Sequence, residues 1–588
     1  MIMKMTTMLL KVMIERGFKN KMKLVIAEKP SVANSIARVL GAKQRKNGYI
    51  EGNGYLVSWC FGHLVQMAGP DSYDEKYLKW RLEDLPIMPE NYKYIVSKGS
   101  SKQFNILKKL LFDKRVEQVV NACDAGREGE SIFRLVYNQA KCKKPILRLW
   151  ISSLEDRAIK DGFEKLEPGE KYDNLFQAAE ARSIADWLVG INLSRFYSIK
   201  QSRNYSVGRV QTPTLAIICG RDNQIASFVK EKYFTLEVVL NGFSINSGRI
   251  DDLKVAESLL ASVPAAVRVD KVQQKVRNVR PERLYDLTTL QRAANKVFGY
   301  SAQKTLDIAQ GLYEKKLITY PRTDSRHLTQ DMKETAKNIV LGFESDFLID
   351  EKNFEAVFDD SKVTDHYAII PTLSFIENGL GDLSDDERRI YYLIKAKLLM
   401  AFSSDKKESL TRIICNIGGQ PFVANGKVVL EPGFSIYAEN VYGKEAKDVI
   451  LPSLSEGDVL DVLDKKINEK FTKPPQHYTE ETLLKAMEIA GNDSLEKGVE
   501  VERKGIGTPA TRAGIIETLI RRKFIKRCKK NLVATEMGHD LVSIVAPRFK
   551  SAKMTAVWEM ALSRIAAGEK TKDSFLGEIE RAIKDIVV

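Results

Sequence analysis

Three features that assign many chains to a protein class are absent from this sequence. Its six cysteines form no C-x-x-C pair, which argues against both a disulfide framework and a cysteine-rich zinc site. No apolar stretch is long enough to span a bilayer. No G-x-x-x-x-G-K-S/T run occurs, so the sequence does not predict a P-loop nucleotide site. We therefore expect a protein of the reduced cytoplasm that has no contact with membranes.

The composition predicts a large basic protein. Its 588 residues correspond to about four domains, and its 44% of hydrophobic residues suffices for their cores. The formal net charge of +15 favours a polyanionic partner, although a basic cytosolic enzyme without such a partner has the same composition. Residues 1–21 are rich in Met and Lys, and no cleavage site follows their short apolar core, so we expect them to lie outside the fold.

The run at residues 317–325 places a phenol, a guanidinium and a carboxylate close together, at Tyr320, Arg322 and Asp324. A tyrosine hydroxyl has a pKa of about 10 and is a weak nucleophile at neutral pH. Positive charge from Arg322 would stabilise the phenolate and the pentacovalent phosphate that form during attack on a phosphodiester. The residues alone leave an equal alternative, a buried tyrosine in a turn made by Pro321, with Arg322 and Asp324 as a surface ion pair.

A second motif, at residues 119–130, combines an apolar run with carboxylates and glycines. The apolar run predicts a buried parallel strand, and such strands carry functional groups at their carboxyl ends. Asp124 and Glu128 suit Mg²⁺, which usually takes one or two protein carboxylates together with phosphate and water. We expect Ser131 to begin the next helix. An acidic helix N-terminus is the plain alternative, but it explains neither the two glycines nor Arg127.

A third motif, at residues 22–31, is a strand followed by a polar turn. Glu28 and Lys29 would lie at the carboxyl end of this strand, where a carboxylic acid can protonate a leaving oxygen and an ammonium can hold a phosphate. Helical spacing follows over residues 32–40, with Ser31 as the expected N-cap. Glu-Lys also occurs at ordinary strand ends, so this motif is weak in isolation.

Together, the three motifs and their separations resemble those of the type IA DNA topoisomerases. The motifs around Glu28 and Asp124 resemble the Toprim domain of that family, and the motif around Tyr320 resembles the stretch that holds its nucleophilic tyrosine. Within the family, the details are most similar to the topoisomerase III branch. Further similar stretches lie at residues 180–190, 206–214, 365–372, 504–512 and 555–559.

The resemblance implies the fold class, a multidomain α/β plus α and β protein. A Toprim α/β domain, helical domains and a β-rich arch would form a type IA topoisomerase ring. The implied boundaries are 22–155 for the Toprim domain, 156–215 and 472–588 for a helical DNA-binding domain, 216–281 and 402–471 for the arch, and 282–401 for the helical domain with the tyrosine. The strand-like and helix-like patterns along the chain agree with this division, whereas the ring is implied by the resemblance alone.

The resemblance also implies an ATP-independent chemistry. Tyr320 would attack a phosphate of single-stranded DNA and remain joined to the 5′ end of the break. Because one phosphodiester replaces another, resealing would need no ATP. Glu28 would protonate the departing 3′ oxygen, Lys29 would hold the scissile phosphate, and Arg322 would act beside the tyrosine. His366 would bind the phosphate or relay a proton.

The implied metal site departs from the family pattern. The family's acidic motif commonly reads D-x-D-x-E, and Gly126 replaces its middle carboxylate here. We therefore expect one Mg²⁺ ion, held by Asp124 and Glu128 with help from Glu28, and not two tightly bound ions. Glu130 is the residue that would compensate, unless it only favours the helix dipole. The DNA contacts that the resemblance implies are Arg127, Arg182, Asp186, Arg209, Gln211 and Glu314.

The implied partners are single-stranded DNA and negatively supercoiled or catenated duplex DNA, with a helicase or single-strand-binding protein beside them. We expect a nucleoid-associated monomer. The absence of zinc-binding cysteines near the carboxyl end favours decatenation or partial relaxation over robust relaxation. The basic run 521–530 would bind DNA, with Phe524 stacking on a base. An equal alternative is a solvated face that flanks Phe524 and Ile525 in the core. A Toprim metal-dependent nuclease and a non-catalytic single-stranded DNA clamp are the alternative functions.

Overall fold

The computed structural model of the protein describes residues 21–152, 154–363, 366–443, 448–490 and 505–588. Residues 1–20 of the expected N-terminal extension, and Asp365 and Lys504 of the similar stretches, lie outside the described residues. Within those ranges, no helix combines the length and the apolarity needed to cross a membrane. All six cysteines are free thiols.

The described residues form helices and strands that alternate along most of the chain. The helices are α1 (Pro30–Leu40), α2 (Ser101–Leu111), α3 (Arg127–Gln139), α4 (Asp156–Glu164), α5 (Asp173–Gln201), α6 (Gln211–Ala226), α7 (Leu253–Ala261), α8 (Leu287–Phe298), α9 (Ala302–Glu314), α10 (Lys333–Phe343), α11 (Glu351–Glu355), α12 (Ser374–Asn378), α13 (Asp385–Phe402), α14 (Ser435–Tyr442), α15 (Glu480–Ile489), α16 (Pro509–Arg521), α17 (Glu536–Ile544), α18 (Ala552–Ala566) and α19 (Lys572–Val587). The strands are β1 (Met22–Ala27), β2 (Gln44–Lys46), β3 (Tyr49–Gly52), β4 (Tyr55–Trp59), β5 (Val65–Met67), β6 (Tyr94–Val96), β7 (Val116–Ala122), β8 (Ile146–Arg148), β9 (Glu167–Pro168), β10 (Lys232–Leu240), β11 (Phe243–Asn246), β12 (Ala266–Arg268), β13 (Lys271–Val279), β14 (Lys406–Ile417), β15 (Gln420–Glu431), β16 (Val459–Asp461), β17 (Asp464–Phe471), β18 (Tyr478–Thr479), β19 (Ile525–Cys528) and β20 (Asn531–Ala534).

The amino-terminal region is a seven-stranded sheet with helices packed against it. Its strand order is β2-β3-β4-β1-β7-β8-β9. The central strand β1 pairs in parallel with β4 and β7, and β7 pairs in parallel with β8. Both β1 and β7 are buried over most of their length, as parallel strands covered on both faces are. The buried parallel strand predicted before Asp124 is confirmed.

Two helices start at different residues from those predicted. Helix α1 begins at Pro30 with Lys29 as its N-cap, so the prediction that Ser31 caps it is wrong. Proline suits this first position because its fixed φ is helical and its missing N–H would have no partner there. Helix α3 begins at Arg127, not at Ser131. The chain turns directly from β7 into α3 because Gly126 adopts a φ of +135°.

The second large sheet has six strands in the order β13-β14-β15-β11-β10-β17. Its neighbouring strands pair antiparallel, and one face of the sheet carries a separate hydrophobic core. The helices α8 to α13 lie between β13 and β14 in the chain. This helical block is therefore an insertion between two paired strands.

The helical block packs directly on the amino-terminal sheet. One hydrophobic core contains Val25 and Val120 of that sheet together with Tyr313, Tyr320 and Ile369 of the block. The backbone N–H of Tyr320 donates to the carbonyl oxygen of residue 152 at 3.3 Å. These contacts hold the tyrosine segment against the carboxyl ends of β1 and β7, where the other two motifs lie.

The long helix α5 packs against α18 and α19. Residues 178–219, 483–487 and 506–583 therefore contribute to one hydrophobic core. Helix α3 of the amino-terminal region also packs on α5. Phe524 belongs to this core and is only 1% exposed. Its core interpretation is thus confirmed, and the stacking interpretation is wrong because the ring is not accessible to a base.

Candidate active site

Glu28 follows the last residue of β1 and is 4% exposed. Burial, with the negative charge of Asp124, raises the pKa of this carboxyl from 4.5 to about 8 against the opposing charges of Arg322 and Lys29. A carboxyl with that pKa is mostly protonated at neutral pH and can act as an acid. The Nζ atom of Lys29 lies 3.2 Å from Oε1 of Glu314, which places both of these residues beside Glu28.

The acidic loop between β7 and α3 depends on its two glycines. Gly126 supplies the positive φ of the turn. A Cβ atom at Gly129 would lie 2.0 Å from the carbonyl oxygen of Asp124, so a side chain there would displace the loop. Glu128 Oε1 accepts a hydrogen bond from His63 Nε2 at 2.7 Å, and this bond lowers the pKa of Glu128. The loop geometry thus explains the glycines that a simple helix dipole does not.

Tyr320 is buried, and its hydroxyl donates a hydrogen bond to Oδ2 of Asp124 at 2.7 Å. Burial, together with the charge of Asp124, raises the pKa of Tyr320 well above 10. The nearby charge of Arg322 acts in the opposite direction. The tyrosine is therefore a neutral phenol whose proton already points at a carboxylate acceptor.

His366 links the acidic loop to the tyrosine segment. Its Nε2 lies 2.8 Å from the carbonyl oxygen of Ala125, and its Nδ1 lies 2.9 Å from Oγ of Ser152. A carbonyl oxygen only accepts, so Nε2 carries a proton. The imidazole ring lies 4.3 Å from the ring of Tyr320, centroid to centroid. His366 therefore packs against the phenol.

One cavity of about 260 Å³ lies between three parts of the chain and is lined by Glu28, the acidic loop, Tyr320 and His366. The amino-terminal sheet contributes Glu28 and the acidic loop, and the helical block contributes Tyr320 with Arg322. The start of α16 closes the other side through residues 508–511. Asp324 also lines this cavity, on the same side as Arg322.

A buried ion-pair network adjoins the cavity. The guanidinium of Arg209 donates to Asp186 at 2.9 Å and to Glu559 at 2.7 Å. Glu559 Oε2 also lies 3.4 Å from Nη2 of Arg127, the first residue of α3. Although burial alone would raise the pKa of Glu559, the charges of Arg209, Arg182 and Arg127 hold it well below its usual range. Glu559 of α18 thus joins Arg127 of α3 to Arg209 in the loop before α6, and Arg209 in turn binds Asp186 of α5.

An open groove of about 610 Å³ continues from the active-site cavity. Arg182, Asp186, Arg209 and Gln211 line it, so four of the predicted DNA contacts lie along one path. Trp80 lines the same groove with 46% of its surface exposed. The other two predicted DNA contacts lie outside the groove. Arg127 lines the active-site cavity, and Glu314 lies beside Lys29.

Known proteins match this arrangement over nearly the whole chain. A family model described as DNA topoisomerase matches residues 170–577, and a Toprim domain model matches residues 23–154. The DNA topoisomerase 3 of Bacillus cereus is 41% identical over 96% of this chain and 81% of its own length. The chain belongs to the type IA DNA topoisomerases. It is therefore an isomerase that breaks and rejoins one DNA strand, as the resemblance implied.

Two further relatives agree with this membership. The DNA topoisomerase 3 of Bacillus subtilis is 40% identical over 95% of this type IA topoisomerase and 80% of its own length. The structure of full-length topoisomerase I from Thermotoga maritima is similar to this chain at a TM-score of 0.75 and 24% sequence identity. The similarity covers 96% of this chain and 90% of the Thermotoga chain, which confirms the fold class. The similarity to the topoisomerase III branch is confirmed. The match at residues 170–577 favours neither a Toprim nuclease nor a DNA clamp.

Sequence reasoning gave no role to three residues of this topoisomerase site. His63 holds Glu128, Glu559 holds Arg209, and Trp80 lines the groove. Glu559 ends one of the similar stretches, at residues 555–559, and that position was the available signal for it. His63 and Trp80 lie in loops without a periodic pattern, so only the fold brings them to the site.

The carboxylates of the site fit a hard cation such as Mg²⁺. Glu28, Asp124 and Glu128 line the same cavity, and oxygen donors of this kind are its preferred protein ligands. The raised pKa of Glu28 reflects burial and uncompensated negative charge, which a cation would neutralise. Among the described residues, no three His, Cys, Asp or Glu side chains already converge as a metal cluster. Glu130 does not compensate for Gly126, because it is buried against Arg134, Arg148 and Asn121.

Proposed function

We propose that Tyr320 is the nucleophile of this topoisomerase and forms a 5′-phosphotyrosine with single-stranded DNA. One observation carries this proposal: the buried phenol donates its proton to Asp124 at 2.7 Å in the cavity that also contains Glu28 and Arg322. A nucleophile needs a proton acceptor and nearby positive charge, and both are in place. Because the phosphodiester is exchanged for another, resealing needs no ATP.

Two proton transfers accompany cleavage. As the bond from Tyr320 Oη to phosphorus forms, the phenolic proton passes to the carboxylate of Asp124, which already accepts it in a hydrogen bond. As the bond to the 3′ oxygen breaks, Glu28 gives its proton to that oxygen, which its raised pKa permits near neutral pH. Rejoining runs through the same transfers in reverse. Lys29 and Arg322 bind the phosphate oxygens and stabilise their charge.

His366 is a positioning residue in this proposal. Both of its ring nitrogens bond other groups, and its ring packs at a tilt against that of Tyr320. This arrangement favours holding the phenol in line over binding a phosphate or relaying a proton. A phenol displaced by even a small distance would lose the alignment on which attack depends.

The groove beside the cavity is the proposed path of the single strand. Arg182 is partly exposed and can bind the phosphate backbone, while the exposed ring of Trp80 offers a surface on which a base stacks. Arg209 is buried, so it acts by holding Asp186 and Glu559 in place. Arg127, Gln211 and Glu314 complete the proposed set of DNA contacts.

Glu28, Asp124 and Glu128 are the residues that would hold one Mg²⁺ ion. Bound there, the ion would stabilise the negative charge that the carboxylates and the DNA phosphate bring together. Two hydrogen bonds of the structure compete with such binding, from Tyr320 to Asp124 and from His63 to Glu128. We expect both bonds to loosen when Mg²⁺ binds.

The proposed substrates are negatively supercoiled DNA and catenated DNA with single-stranded regions. The names of the Bacillus relatives and the long match to them support this range. We further propose a cytoplasmic, nucleoid-associated monomer that works beside a helicase or single-strand-binding protein. The domain boundaries and the ring implied by the resemblance belong to this proposal, with an arch at 216–281 and 402–471 carrying the tyrosine domain at 282–401.

The proposal is tested with supercoiled plasmid and with linked circles that contain single-stranded regions, each with and without Mg²⁺ and without ATP. The wild-type protein is expected to relax or unlink them only with Mg²⁺, and the Tyr320→Phe variant is expected to do neither. Phe offers a matched change because it removes one hydroxyl from the ring. Cleavage without resealing by both proteins would instead favour a Toprim nuclease.

A further inference from the structure

A second cavity, of about 640 Å³, opens beside the active-site cavity. Its walls are the loop at residues 61–63, the start of α1, Ile132 of α3 and Glu314 at the end of α9. It shares Glu28, Glu128 and Arg322 with the active-site cavity. The two cavities therefore meet where the scissile phosphate would lie.

Three spaces thus follow one another through the site. The groove and the active-site cavity share Arg182 and Thr511, and the active-site cavity and the second cavity share Glu28 and Arg322. A strand that enters along the groove and places a phosphate at Tyr320 continues toward the second cavity. The second cavity is large enough to receive a nucleotide, because small-molecule sites begin at about 300 Å³.

Phe61 supplies this cavity with an exposed aromatic ring. Its surface is 62% exposed, although the loop that carries it is anchored. The N–H of Cys60 donates to the carbonyl oxygen of Ala27 at 2.8 Å, and that of Gly62 donates to the carbonyl oxygen of Glu28 at 3.3 Å. Gly62 adopts a φ of +70°, which allows the tight turn. The backbone that carries the ring is therefore anchored directly beside Glu28.

The surroundings of Phe61 match the two sides of a nucleotide. The ring and Ile132 are apolar, whereas Lys29 and His63 supply nitrogen donors on the walls of the same cavity. An aromatic face binds any base by stacking, and a cation binds its phosphate. Such a surface does not read sequence, which suits an enzyme that must cleave many sites.

We propose that the second cavity binds the base of the nucleotide next to the scissile phosphate, on the side away from the groove, with Phe61 as its stacking platform. This subsite rests on the proposed tyrosine chemistry, because the scissile phosphate fixes the register of the strand. The cleaved strand would then be bound on each side of the break. Stacking on Phe61 would keep the end on the side away from the groove in place while the other strand passes.

An abasic scan of a single-stranded oligonucleotide tests the subsite. One tetrahydrofuran residue is placed in turn at each position around a mapped cleavage site, and the yield of covalent protein–DNA complex is measured. With the wild-type protein, one position next to the break on the side away from the groove is expected to lose about tenfold in yield, as loss of one stacked base implies. In Phe61→Ala, the intact oligonucleotide is expected to lose about as much, and the abasic residue at that position is expected to cost nothing more.

Two further variants sharpen the test. Phe61→Trp keeps a stacking face and is expected to restore the sensitivity to base removal. Phe112→Ala removes a similarly exposed ring, 54% exposed at the end of α2 and outside the cavity, and is expected to behave as wild type. If base removal lowers the yield of covalent complex as much in Phe61→Ala as in the wild-type protein, the subsite is overturned while the tyrosine chemistry stays intact. Absence of any covalent complex with the intact oligonucleotide and wild-type protein would overturn both.

Discussion

The pKa of Glu28 leads to a prediction about the pH dependence of cleavage. At pH 7, a carboxyl with a pKa of 4.5 is about 0.3% protonated, whereas one with a pKa of about 8 is about 90% protonated. The buried site thus increases the protonated fraction of Glu28 at pH 7 by about 300-fold. A bound phosphate adds negative charge, which raises the pKa of Glu28 further, so the acid is lost only at or above pH 8.

We expect the wild-type cleavage rate to be level near neutral pH and to fall about tenfold for each pH unit above the pKa of Glu28. Glu28→Gln keeps the shape of the side chain but has no proton to give, so the rate is expected to fall by about 10²–10⁴-fold. The decline above pH 8 is expected to disappear with it. The assay is single-turnover cleavage of a labelled single-stranded oligonucleotide without Mg²⁺, stopped by denaturation at a series of pH values.

Stability provides a second reading of the same group. Because the pKa of Glu28 is raised in the folded protein, the folded state binds more protons than the unfolded state between about pH 4.5 and pH 8. The free energy of unfolding therefore falls as pH rises through this interval, and Glu28→Gln is expected to remove that slope. Glu117→Gln, at an exposed carboxylate of β7, is the control and is expected to keep the slope.

Cleavage by Glu28→Gln within tenfold of wild type, with the decline above pH 8 retained, would refute the role of Glu28 as the acid of the cleavage step.

Three other predictions concern the loop and its supports. Asp124→Ala with Glu128→Ala is expected to abolish Mg²⁺-dependent strand passage in a plasmid relaxation titration; activity that survives the double change would contradict the assigned ligands. Glu559→Gln is expected to lower the free energy of unfolding by about 3–5 kcal/mol in urea titration, because its arginine partners stay buried without their counter-charge; an unchanged transition would contradict this. Gly129→Ala is expected to lower the free energy of unfolding by about 1–3 kcal/mol in the same titration, because its Cβ would lie 2.0 Å from a carbonyl oxygen. The control is Gly220→Ala in α6, where a Cβ meets open space, and it is expected to be neutral or stabilising.

The sequence was informative where local patterns carry the structure. The apolar run before Asp124 predicted a buried parallel strand, and the run before Glu28 predicted a strand that ends in a polar turn. Both strands are present in the sheet. Tyr320 joined them only through the resemblance, because no local pattern links residues so far apart in the chain.

Pairings between distant residues were not predictable from the chain. Glu559 and Arg209 meet only because α18 packs on α5 and contacts the loop before α6. His63 meets Glu128 only because the loop after β4 lies beside the start of α3. Local rules also gave wrong details. Ser31 has the side chain of an N-cap, but Pro30 begins the helix one residue earlier.

The most direct test of the central claim is to identify which DNA end becomes joined to the protein. A single-stranded oligonucleotide labelled at either its 3′ or its 5′ end is incubated with wild-type protein or with Tyr320→Phe, and the denatured protein is separated from free DNA. A 5′-phosphotyrosine at residue 320 predicts label on the wild-type protein only from the 3′-labelled strand, and none on the variant. Label on Tyr320→Phe, or transfer of the 5′-labelled fragment, would contradict the proposed nucleophile or the proposed polarity of the break.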